Sequence, residues 1–181
     1  MKKYDGYDQA EAFTGEYEKL EPGGYVCKIL QVKAEDRDYG TLLRIAFDIV
    51  EGEYEGYYRR QFERKKQRDS EAKWPGMYYQ TVRQDDLRYF KGFMTSIEAS
   101  NPGFKWDWDE KKLSGKLFGG VFGEEEFEGQ DGEIHTTVKC RFVRSVDAIR
   151  SGKFKIPEIK KLEKKDNSTW IPAENDDELP F

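Results

Sequence analysis

Cations and flat rings interleave in this chain in a pattern that suits one kind of ligand, a polymer with a negative backbone and unstacked ring faces. Tyr58, Arg60, Phe62 and Arg64 fall at every second position, so a strand here would carry them on one face. Lys65, Lys66, Arg68, Trp74, Tyr78, Tyr79 and Arg83 continue the theme through 65–84, which reads as a basic loop. Lys139, Arg141 and Arg144 form a third set on a later alternating run, and Arg44 is expected to point away from the core of the clearest strand. A single nucleic-acid strand offers phosphates and base faces, so its receptor needs cations along a track with rings beside it. Packing Phe62 and Trp74 into the core is the competing reading. The arginines favour exposure because arginine is seldom buried.

The charge is segregated. The formal net charge is -5 over 181 residues, yet Arg59 to Lys91 holds ten Lys and Arg against five Asp and Glu. Val138 to Lys165 holds ten against three, and Asp166 to Phe181 has five acidic residues and no basic one. Two basic blocks on an acidic chain point to an anionic partner, because the local field of a groove matters more than the molecular sum.

Other chemistries find less support. His135 is the one histidine and reads as a surface residue of an alternating strand. No Cys/His spacing suits zinc, so no metal site and no cofactor is expected. Gly115-Lys116-Leu117-Phe118-Gly119-Gly120 lacks the Lys-Ser/Thr that must follow the last glycine of a phosphate loop. Asp107 and Asp109, or Glu124-Glu125-Glu126, are the carboxylates a magnesium-dependent nuclease would use, but no base, nucleophile or oxyanion donor joins them. The expectation is therefore a protein without enzymatic activity. Cys27 and Cys140 sit in separate apolar runs, as packed, reduced thiols of a cytoplasmic protein would.

The elements that must position these residues follow from periodicity. Residues 1–22 are polar with scattered aromatics and read as an arm; 23–151 read as one domain; 152–181 read as a flexible linker and an acidic tip. Strands are expected at Tyr25 to Val32, at Thr41 to Val50, from Tyr57, at Leu117 to Phe127 and at Ile134 to Val143. In the last, Ile134, Thr136, Val138, Cys140 and Phe142 face one way, with His135, Thr137, Lys139 and Arg141 opposite. Leu87, Phe90, Met94 and Ile97 recur at helical spacing behind a cap at Asp85 or Asp86, and Pro102-Gly103 lies past the helix end. Gln130-Asp131-Gly132 signals a hairpin, and 145–151 a short helix. The chain is thus mainly β. Five strands with a helix between the third and fourth suggest an OB-fold-like barrel, whose second and third strands present an oligonucleotide-binding face. An exposed strand edge would allow a homo-oligomer, and no run is apolar enough for a membrane span.

The chain ends Asp176-Asp177-Glu178-Leu179-Pro180-Phe181, carboxylates followed by two apolar residues and a proline where they bury nothing. This ending resembles the acidic tip of bacterial single-stranded DNA-binding proteins, usually Asp-Asp-Asp-Ile-Pro-Phe, with Glu178 and Leu179 as conservative departures. Phe47-Asp48-Ile49-Val50-Glu51-Gly52, Trp74-Pro75-Gly76 and Arg144-Ser145-Val146-Asp147-Ala148-Ile149-Arg150 resemble phage and mobile-element proteins thought to bind single strands. The resemblance implies sequence-independent binding and protection of single-stranded DNA in replication, recombination and repair, in the host cytoplasm if phage-encoded. It also implies a tip that recruits the enzymes of those processes. A recombination mediator that anneals strands, and an adaptor that binds no nucleic acid, are the rivals.

Overall fold

The computed structural model describes residues 2–9 and 18–162. Five strands, β1 (Gly23–Arg37), β2 (Gly40–Ile49), β3 (Met77–Val82), β4 (Leu117–Glu128) and β5 (Ile134–Arg144), form one antiparallel sheet in the order β3-β2-β1-β4-β5. The central strand β1 pairs with β2 through most of its length and with β4 through its first six residues. The sheet curls around a core but does not close: β3 and β5 are its two edges and share no ladder. Three helices complete the domain, α1 (Tyr57–Lys66), α2 (Arg88–Ser100) and α3 (Val146–Arg150), with a 3-10 turn at Glu110–Leu113.

The inner face collects Cys27, Ile29, Ile45, Phe47, Phe118 and Phe122, each with almost no exposed surface. Helix α2 closes it with Phe90, Phe93, Met94 and Ile97, while Leu87, expected on the same stripe, precedes the helix and is exposed. Edge-to-face contacts of Phe47 with Tyr58, Phe118 and Phe122 tie strands and α1 together. A second cluster of Val26, Val121, Val146 and Ile149 lies apart from this core and is joined by Phe154.

One element differs in kind from its sequence reading. Residues from Tyr57 form a helix, not a strand, and the third strand lies some twenty residues later, inside the stretch read as a loop. Arg, Gln, Glu and Lys dominate 59–66 and are good helix formers. The helix start is capped from elsewhere: Asp48 of β2, buried beneath it, accepts the backbone N–H of Tyr58 at 3.0 Å and of Arg59 at 3.2 Å. Gly56, the local cap residue, is left-handed and has no side chain to offer. Burial pushes the Asp48 carboxyl up, against the opposing pull of those N–H groups and of Ile49. Arg64, Lys65 and Lys66 in the last turn suit the negative end of the helix dipole.

Both ends of the stretch 18–162 are held. Leu20 is buried in the core, and Glu18 forms a forked pair with Arg60, its oxygens 2.8–3.2 Å from Nη2 and Nε. Beyond α3 the chain stays on the domain: a Cβ at Gly24 would lie 2.5 Å from the Phe154 ring, and one at Gly123 2.4 Å from Pro157. Lys160 donates its backbone N–H to Glu124 and accepts that of Glu126, both at 2.9 Å. Packing thus extends to Leu162, beyond the expected linker start at 152, and residues 163–181 lie outside the described region. No helix is long and apolar enough to cross a membrane among the described residues.

Candidate nucleic-acid interface

The open seam between β3 and β5 forms a groove of about 650 Å³, bordered by the start of α2. Tyr79 stands on one lip, 44% exposed, and Phe142 on the other, 45% exposed; Tyr89 of α2 is 74% exposed. Arg83, Arg88, Arg141 and Arg144 line the same groove with Asp85 and Asp86, four cations against two anions. Three open rings and a net positive lining are what a single strand requires.

Local chemistry fixes each group. Arg44 lies opposite Tyr79 in the β2–β3 ladder, with its guanidinium carbon 6.0 Å from the ring centroid. Its Nη1 donates to Glu35 at 3.4 Å, and Arg37 and Lys33 meet the same carboxylate at 2.9 and 3.0 Å. Chiefly Lys33, with Arg44 also contributing, holds the Glu35 carboxyl below its usual range. Tyr78 stacks on Phe93 at 5.9 Å, and burial pushes its phenol up. Arg83 and Arg88 are held in forked pairs with Asp85 and Asp86, at 3.0–3.1 and 2.9 Å. Arg144 lies over Phe142 at 5.9 Å. Arg141 differs: its Nη1 is buried without a hydrogen-bond partner among the described residues. A buried guanidinium donor left open is costly unless a ligand completes it.

Five of the expected contact residues, Tyr78, Tyr79, Arg83, Arg141 and Arg144, meet in this groove. The others do not. Tyr58 is core, 7% exposed, and Arg44 is 3% exposed beside Glu35, so neither stands on an open face as expected. Arg60 turns to Glu18, and Arg64 Nε donates to the Arg60 carbonyl at 3.3 Å. Phe62 packs on Trp74 at 5.4 Å, and Trp74 packs against the core and donates its indole N–H to the Phe47 carbonyl at 3.0 Å. Lys65, Lys66 and Arg68 are exposed at the end of α1 and beyond it, Lys66 over Phe62; Lys139 is exposed on β5 outside the groove. The helix replaces the face that was expected to align Tyr58, Arg60, Phe62 and Arg64. The tip, Asp176 to Phe181, lies outside the described residues.

Arg88, Tyr89 and Phe142 were missed. Strict alternation would put Phe142 inside, but the β4–β5 register slips between Val121 and Phe122. Val121 faces Phe142 while Phe122 faces Cys140, so Arg141 is the extra residue of a bulge that turns Phe142 outward. Arg88 and Tyr89 open α2, a position the periodicity of the buried face did not use; the cap residue there is Leu87 and not Asp85 or Asp86 as expected, although Asp86 accepts the Arg88 N–H at 3.3 Å.

The carboxylates considered for metal are engaged singly. Asp107 pairs with Lys112, and Asp109 caps the 3-10 turn through the Lys111 N–H at 3.1 Å. Glu125 meets Lys160 at 3.2 Å, and Glu126 accepts the Leu162 N–H at 3.0 Å. No metal-binding cluster occurs among the described residues. His135 is exposed and sits 2.9 Å from Asp131. Cys27 and Cys140 are free thiols, and burial pushes both up.

No protein-family model matches the chain, and no curated protein matches it significantly.

Proposed function

We propose that this protein binds single-stranded DNA without sequence preference, along the groove between β3 and β5, and protects it during replication and recombination. The observation that carries this is the meeting of three open rings with four guanidiniums in one seam, where Arg141 Nη1 is buried with no hydrogen-bond partner among the described residues. Bases stack on Tyr79, Phe142 and Tyr89, while Arg141 and Arg144 take phosphates. An open five-stranded antiparallel sheet with β1 central and α2 between β3 and β4 supports an OB-fold-like reading of the framework. The acidic ending, Asp176 to Phe181, recruits replication, recombination and repair enzymes in this reading.

Fluorescence anisotropy of labelled dT20 at about 50 and 200 mM salt tests the reading. The expected log-log slope is about -0.7 for each phosphate neutralised, hence about -1.4 or steeper for Arg141 and Arg144 together. Absence of binding at the lower salt, or a flat slope, would overturn it.

A further inference from the structure

Trp108 is the one non-glycine residue with positive φ among the described residues, at +68°. A bulky side chain rarely adopts this conformation, which glycine takes freely. Its indole is nevertheless 70% exposed, touching Trp106 at 6.1 Å and Phe90 at 5.9 Å only by tilted ring contacts. Neither backbone preference nor burial accounts for a tryptophan here, and strain of this kind collects at functional positions.

The surroundings say what it meets. The neighbouring Trp106 indole N–H is buried with no hydrogen-bond partner among the described residues. Lys105, Lys111, Lys112 and Lys116 frame the turn, Lys116 lying 4.9 Å from the Phe104 ring centroid. The carboxylates within the turn are already occupied, Asp107 with Lys112 and Asp109 with the 3-10 turn. The turn also adjoins the groove through one helix end: Tyr89 lines the groove, while the next residue, Phe90, packs against Trp106 and Trp108.

We propose that Trp108 is a second stacking subsite for the same single strand, receiving a base that has left the groove past Tyr89. This rests on the groove reading. The ring supplies stacking and no charge, so its loss should weaken binding while leaving the salt slope unchanged.

Trp108→Gly tests this, because it relieves the strained φ and removes the ring. The expected result is a Tm equal to or above that of the parent protein, with dT20 affinity at least about five-fold lower at both salt concentrations and an unaltered slope. A short dT5 should lose less, since it fills the groove alone. In the parent protein dT20 should quench tryptophan emission, and Trp108→Phe should remove most of that quenching while keeping binding within about two-fold. Unchanged dT20 affinity in Trp108→Gly, with the parent binding normally, would overturn the subsite and leave Trp108 as a protein-contact residue, the groove standing. Absence of dT20 binding by the parent would remove both readings. A markedly lowered Tm in Trp108→Gly would show that the ring serves the fold and count against the proposal, as would full quenching in Trp108→Phe.

Discussion

Two stretches of this chain look alike in composition and are put to opposite uses. The run from Tyr57 to Arg68 and the groove set around Tyr79 and Arg141 both mix rings with cations. In α1 the rings turn inward: Tyr57 and Tyr58 join the core, Phe62 leans on Trp74, and Arg60 is matched by Glu18. In the groove the rings turn outward, and Arg141 Nη1 has no hydrogen-bond partner among the described residues. Composition marks both as candidates, but only the direction of the side chains separates a scaffold from a binding surface.

The comparison can be broken most forcefully at Tyr58. Tyr58→Ala should destabilise the fold by about 3–5 kcal/mol, seen as a lower urea midpoint, because it empties a core position. Its dT20 affinity in the folded protein should stay that of the parent; a binding defect without loss of stability would reverse the assignment of α1 as scaffold. The groove should answer the other way. Arg141→Ala with Arg144→Ala should cost on the order of 30-fold in dT20 affinity at about 50 mM salt and flatten the slope by about 1.4. The matched pair Arg64→Ala with Lys65→Ala on α1 should change affinity less than about three-fold, and equal losses from the two pairs would erase the distinction.

The smallest effect concerns alkali. Tyr25 packs edge-on to Tyr54, which in turn meets Tyr57 of α1. Burial first, and then the neighbouring Tyr54 and Glu21, push the Tyr25 phenol up to about 12. The unfolded chain loses this proton near pH 10, before the folded one does, so the stability Tyr25 contributes is complete below about pH 10 and drains away towards pH 12. Denaturation followed between pH 9 and 12 should show this decline, and Tyr25→Phe should reduce it. An identical profile in the variant would mean that the phenol is not held as described.

Much of the frame was legible without coordinates. Alternation located β1, β2, β4 and β5, and the spacing of Phe90, Met94 and Ile97 located α2; the strand expected from Tyr57 is helix α1, and β3 lies in the stretch read as a loop. These signals are local, since a strand or helix with one buried face writes its period into its own residues. What chain order could not decide came from partners far along the sequence. Helix α1 is started by a carboxylate nine residues before it on another element, so its own residues offered an alternating pattern and no cap.

Composition and periodicity by themselves determined a mainly β domain with segregated charge and a surplus of rings and cations. Tertiary structure alone decided which of those rings face out. The bulge at Arg141 turns Phe142 outward, and the ladder between β2 and β3 sets Arg44 beneath Tyr79. The unclosed seam then gathers Tyr79, Phe142, Arg141 and Arg144 from two edge strands into one groove. The reason is physical: a register slip of one residue reverses every side chain beyond it, and register belongs to the pairing of strands, not to either strand alone.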